Sequence, residues 1–149
     1  MRNIISNTSC LIVLDNINML EMLKKLYGQI MITEEVLYEF GKPVPSWIQV
    51  YKVQDRKCLK ILNSIVDLGE ASTIAFCTEQ ENSTMILDDL KARKLAKKLD
   101  LPFTGTVGVL LKVKEKGIVT SMETILESLK NQGFRISKDI EQKLLKTNK

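Results

Sequence analysis

Short apolar runs of strand character alternate along this chain with longer stretches whose apolar residues recur at helical spacing. Asn3 to Ser6 is the first β-prone run, and it ends in Asn7-Thr8-Ser9, three residue types suited to capping a helix. Helical patterns follow over Cys10 to Leu14 and Met19 to Leu26, with Leu11, Leu14, Leu20, Leu23 and Leu26 at core spacing. Gly28 stops the second of them. Ile30 to Ile32 reads as a second strand, and Thr33 caps a helix over Glu34 to Phe40 that Gly41-Lys42-Pro43 ends. After a Pro43 to Pro45 loop, Trp47 to Val53 alternates apolar and polar residues like an edge strand. Asp55 caps a helix running through Leu62, and Asp67-Leu68-Gly69-Glu70 opens another over Ala71 to Thr78.

Thr84 to Leu87 reads as a buried strand that delivers Asp88-Asp89. The helix predicted over Leu90 to Leu99 turns Leu95 and Leu99 inward and Lys91, Lys94 and Lys98 outward. Phe103-Thr104 is a short strand, and Thr106 to Lys116 a helix closed by Gly117. Helices at Met122 to Lys130 and Lys138 to Leu145 complete the pattern, which predicts one α/β domain over residues 1–149 with 146–149 a frayed tail. Repeated strand–helix units require parallel strands joined by helical crossovers. In such sheets ligands sit beyond the carboxyl ends of the strands.

Composition narrows the chemistry. The chain has no histidine, so Ser-His and Cys-His nucleophilic systems are excluded. Any metal site must then use oxygen ligands, which favours Mg²⁺ or Mn²⁺ over Zn²⁺. Three cysteines, Cys10, Cys58 and Cys77, form no Cys-x-x-Cys pair and suggest neither a disulfide framework nor a zinc knuckle. Cys10 and Cys77 fall in apolar helical patterns and read as small core residues. This usage, with no apolar run of membrane-spanning length, points to a cytoplasmic protein without a membrane partner. The net charge of +4 permits an anionic partner without demanding one.

The polar residues that follow strands, or open helices between them, are Asn7, Glu35, Glu39, Glu70 and Asp88-Asp89. Carboxylates gathered in one place repel unless a cation neutralises them. Each also has a plainer reading: Glu35 and Glu70 suit a helix's first turn, and Glu39 could pair with Lys42. Of Asp88 and Asp89, one is needed as a helix cap and the other is spare.

As a set, these residues resemble the PIN-domain proteins, and in particular a prokaryotic subgroup of predicted nucleic-acid-binding PIN proteins. The matching runs are Ile5-Ser6-Asn7-Thr8-Ser9, Ile32-Thr33-Glu34-Glu35-Val36-Leu37-Tyr38-Glu39-Phe40 and Leu68-Gly69-Glu70-Ala71. They continue through Ile86-Leu87-Asp88-Asp89-Leu90-Lys91-Ala92-Arg93-Lys94-Leu95-Ala96, Thr104-Gly105-Thr106-Val107-Gly108-Val109-Leu110-Leu111 and Gly133-Phe134-Arg135-Ile136-Ser137. The resemblance implies a three-layer α/β/α fold with a mainly parallel central sheet. It also implies an acidic pocket that holds Mg²⁺ or Mn²⁺ and hydrolyses RNA by in-line attack of an activated water. Carried over by position, the catalytic residues are Asn7, Glu39, Glu70 and Asp89, and the metal ligands are Asn7, Glu70, Asp88 and Asp89. Ser9 and Arg93 would support them, and Lys91, Arg93 and Lys94 would bind nucleic acid. A homodimer held by a small antitoxin protein, as in toxin–antitoxin ribonucleases, is the implied assembly.

The first family position is normally aspartate, and here it is Asn7. An amide keeps one carbonyl oxygen for a metal but loses a full charge. Asp15 is a poor substitute, since helix between it and Asn7 would place it roughly 12 Å away. A weakened nuclease is therefore expected, with an inactive RNA-binding or regulatory PIN-like module as the alternative. A phosphorylated signalling receiver is excluded, because its acidic pair belongs at the first strand and its phosphoacceptor aspartate on a later one. Aromatic content of 5% argues against extensive base stacking.

Overall fold

The computed structural model describes residues 2–146. Five short strands, β1 (Asn3–Ser6), β2 (Ile30–Thr33), β3 (Ile48–Tyr51), β4 (Ser83–Ile86) and β5 (Phe103–Thr104), form one sheet in the order β3-β2-β1-β4-β5. Every pairing is parallel. Among the described residues the helices are α1 (Thr8–Asn16), α2 (Glu21–Tyr27), α3 (Glu34–Phe40), α4 (Arg56–Asn63), α5 (Leu68–Glu79), α6 (Leu90–Lys98), α7 (Thr106–Glu115), α8 (Met122–Asn131) and α9 (Lys138–Leu145).

Side chains alternate across a strand, and here both faces are apolar, as a parallel sheet covered on both sides requires. Ile4, Ile30, Ile32, Ile48 and Ile86 enter one core with α1, α2, α3, α7, α8 and α9. Ile5, Met31, Met85 and Leu87 enter the other with α4, α5 and α6. The result is a three-layer α/β/α sandwich. Cys10 and Cys77 are buried in opposite cores as the pattern required, and burial pushes the Cys10 thiol up to about 12. A thiol so protonated is no nucleophile.

Helix starts follow local chemistry. Thr33, Asp55, Asp89, Ser121 and Ser137 each accept a hydrogen bond from a backbone N–H in the first turn of α3, α4, α6, α8 and α9. Differences from the sequence pattern are small and have local causes. The edge strand spans Ile48–Tyr51 only, and α5 begins at Leu68, so Gly69 and Glu70 lie inside its first turn. Leu99, expected inward, is 43% exposed. It lies beyond the end of α6, where the left-handed Asp100 (φ +56°) reverses the chain and Leu101 packs on the core instead. Of the predicted frayed tail, Lys146 is the C-cap of α9 and 147–149 lie outside the described residues. Among the described residues no helix is long and apolar enough to cross a membrane.

Leu110 is fully buried on α7, in the core it shares with Ile4 and Ile86. Leu110→Ala is expected to cost about 2–5 kcal/mol in chemical denaturation, against less than roughly 0.5 kcal/mol for the exposed Tyr38→Ala.

Candidate active site

The strands of a parallel sheet all end at one edge, and here that edge carries the polar residues. Asn7 continues β1, its backbone N–H donating to the Ile86 carbonyl at 3.1 Å. It is the N-cap of α1 yet makes no side-chain cap hydrogen bond. The side chain is instead turned inward, with the residue 2% exposed and Oδ1 buried without a partner. A buried amide oxygen normally has a donor or a cation beside it. Among the described residues Asn7 Oδ1 has no hydrogen-bond donor.

Thr8 is buried beside it and donates from Oγ1 to Glu39 Oε1 at 2.6 Å, joining α1 to α3. Gly69 completes the contact from α5. A Cβ there would lie 2.8 Å from Glu39 Cδ, so a larger residue at this position would push the carboxylate out of its present place. Glu70 follows directly. Asn7, Glu39 and Glu70 thus line one cleft of 380 Å³, together with Ser9 and Asp67.

Like charges converge on this cleft. The Glu70 carboxyl is raised above its ordinary range, first by burial and then by Asp67, Asp89 and Glu39, while its own backbone hydrogen bond pulls the other way. Asp89 therefore sits close enough to act on Glu70, although its Oδ2 also caps α6 through Ala92 N at 2.9 Å. Neither member of the acidic pair is spare. Asp88 reaches across to α7, accepting from Thr106 N at 2.8 Å and from Thr106 Oγ1 at 2.5 Å. It serves as the cap of a helix eighteen residues further on. Gly105 leaves room for this, since a Cβ there would lie 2.8 Å from Asp88 Oδ1 and 3.0 Å from Arg93 Nη2.

The remaining predicted residues are placed as follows. Arg93 lies over the Phe103 ring at 5.0 Å, with Nε buried and unpartnered. Among the described residues it forms no ion pair. Lys91 and Lys94 are exposed on α6. Ser9 is exposed at the cleft, and the hydroxyl that reaches a carboxylate is that of Thr8. Glu39 does not pair with Lys42, which binds Asp15 instead, and Glu35 pairs with Arg56 at 3.3 Å. Among the described residues no three Asp, Glu or Cys side chains converge tightly enough to hold a metal by themselves. The side chain that β1 contributes is an amide. A larger groove of 630 Å³ between α3 and β3 contains a single carboxylate, Glu34, and no cluster.

Sequence reasoning passed over Thr8, Gly69, Asp67 and Thr106. Their neighbours in sequence were visible, but the contacts that give them meaning join distant segments.

A family model described as a PIN domain matches residues 3–149. No curated protein and no solved structure matches the chain.

Because Glu70 is raised in the folded chain, the folded state binds more protons than the unfolded one between the two pKa values, and stability falls as pH rises through that window. Glu70→Gln is expected to raise the thermal midpoint at neutral pH, with the gain vanishing below the ordinary carboxylate range. Melting curves across that range check this, and a gain that persists undiminished in acid would contradict it. Asp88→Ala, which uncaps α7, is expected to cost about 1–2 kcal/mol in the same assay.

Proposed function

The chain belongs to the PIN-domain family, whose fold is of nuclease type, and on that premise we propose that it is a metal-dependent endoribonuclease of toxin–antitoxin type. Asn7, Glu39, Glu70 and Asp89 form its catalytic pocket. The observation that carries this reading is the buried, unpartnered Oδ1 of Asn7 in a cleft shared with Glu39 and Glu70. An oxygen donor set beside repelling carboxylates suits Mg²⁺ or Mn²⁺. Asn7 Oδ1, Glu39, Glu70 and Asp89 would hold the ion, with Asp88 contributing by bracing the Thr106 end of α7 more than by ligation. When bound, such an ion supplies stabilisation of charge on the phosphodiester oxygens and acidifies the attacking water.

The chain's own groups do the rest. Thr8 holds the Glu39 carboxylate in place, and Gly69 brings α5 against it. Glu70, raised in pKa, is suited to hold a proton at its carboxyl until a cation or substrate displaces it. Arg93, Lys91 and Lys94, all on α6 beyond Asp89, would meet the phosphates of the RNA backbone. In this reading the whole chain is one cytoplasmic PIN domain, acting as a homodimer that a small antitoxin holds in check.

Asparagine at position 7 removes one negative charge from the donor set, so turnover is weak. The second reading is a PIN-like module that binds RNA without cutting it. Among the described residues no three acidic side chains stand close enough together to hold a metal ion, which favours it.

Cleavage of a mixed pool of structured RNAs with Mg²⁺ or Mn²⁺ separates the two. Asn7→Asp is expected to raise the rate on the order of 10–100-fold, and Asp89→Asn to abolish it. Asparagine still caps α6, so loss in that variant would report on chemistry and not on folding. Cleavage that survives Asp89→Asn would overturn the site. Silence in wild type together with activity in Asn7→Asp would favour the binding module.

A further inference from the structure

The sheet stops at β3, whose only neighbour is β2. Helix α3 packs on both of these strands. Between α3 and the edge strand runs the 630 Å³ groove, with Leu37, Tyr38, Pro43 and Val50 in its walls. Ile48 is buried in the core that α3 covers, so Val50, two residues on, turns to the same face. There Val50 is 38% exposed, and Tyr38 stands at the groove 88% exposed. Strands in a sheet lie roughly 4.8 Å apart, so a groove between a covering helix and the last strand is where the side chains of one more strand fit.

The backbone of β3 is open on that side. Ile30 N–H donates to the Trp47 carbonyl, and Ile30 is in register with Ile48. Alternation along the parallel ladder then turns Gln49 and Tyr51 toward β2 and leaves the N–H and C=O of Val50 facing outward. Edge strands are normally guarded by charge or proline against pairing with another chain. From Trp47 to Tyr51 this one carries neither. A single exposed apolar residue needs no explanation. Here an unguarded edge, a groove beside it and an exposed aromatic at that groove coincide.

We propose that this edge is the interface of a symmetric homodimer, in which β3 pairs antiparallel with β3 of a second copy. A two-fold contact requires a self-complementary face, and this face carries both a projecting aromatic, Tyr38, and an apolar groove to receive it. Its charges are arranged in the same way. Glu34 opens α3 and Lys42 follows the C-cap Gly41, so an acid and a base line opposite ends of the groove. Antiparallel pairing brings Glu34 of each copy toward Lys42 of the other, whose ammonium has donors beyond its contact with Asp15. Val50 lies at the centre and exchanges N–H and C=O with its counterpart. The proposal rests on the homodimer in the functional reading and goes beyond it by fixing where the copies meet. Because the pairing reverses strand direction, the two carboxylate clefts fall on opposite edges of one continuous sheet, and each works by itself.

Sedimentation equilibrium of the full chain over a concentration series reads the association. Two four-residue strands make a small contact, so a dimer that dissociates on dilution is expected. Val50→Lys sets a charge at the centre of the pairing and should leave monomer only. Tyr38→Ala, at a side chain exposed in the single chain, should weaken association about tenfold. Should Val50→Lys fail to fold, Tyr38→Ala carries the same test. Ile61→Ala, exposed on α4, should change nothing. Hydrogen exchange at the Val50 amide should be slow in the dimer and fast on dilution.

A chain that stays monomeric at every concentration overturns the proposal, and so does an assembly larger than a dimer. A dimer that keeps its affinity in Tyr38→Ala and Val50→Lys meets through another face, which also overturns it. So does exchange at Val50 that is the same in monomer and dimer, because the strands are then unpaired. None of these measurements reads RNA cleavage, so failure of the interface and failure of the nuclease reading are distinguishable.

Discussion

In an all-parallel sheet covered on both faces, side chains along the strands have no route to solvent, so polar chemistry is confined to the strand ends. That constraint organises this protein. Ile4 and Ile5, or Met85 and Ile86, alternate between two apolar cores, and the first side chains freed from this alternation are Asn7 after β1 and Asp88-Asp89 after β4. The neighbouring carboxylates come from helices that start at the same edge. Repulsion among them is therefore a consequence of topology.

Rigid contacts then give the cleft its shape. A hydroxyl from α1 and a glycine from α5 hold the Glu39 carboxylate from two sides. Asp88 pins α7 to the end of β4, and Asp89 starts α6 one residue later. The adjacent acids thus set the directions of two different helices, and only one of them also acts electrostatically on Glu70. At the opposite edge Arg2, Lys112 and Lys116 line a recess together with Tyr27, among residues that begin strands or end helices. One sheet therefore separates an anionic and a cationic recess by little more than the length of a strand.

Much of this was legible locally. Short apolar runs marked the strands, helical spacing marked the crossovers, and Thr33 and Asp55 lie where cap chemistry starts a helix. These signals survive because each depends on residues within a few positions of one another. Leu99 shows the limit. Its helical spacing pointed inward, but the chain had already turned at Asp100, and a periodic pattern carries no information about where its helix stops.

For the site, the sequence alone determined the cast: no imidazole, an amide where the PIN pattern has aspartate, and acids at strand ends and helix starts. Tertiary structure decided the roles. That Thr8 and not Ser9 reaches Glu39, that Gly69 makes room for it, and that Asp88 serves α7 while the charge of Asp89 acts on Glu70 all depend on segments far apart in sequence. The same is true of Tyr27, an ordinary aromatic at a helix end until folding buries its hydroxyl. Local chemistry selects elements because neighbouring residues always meet. Which side chains share a recess is set only when packing brings the ends of separate elements together.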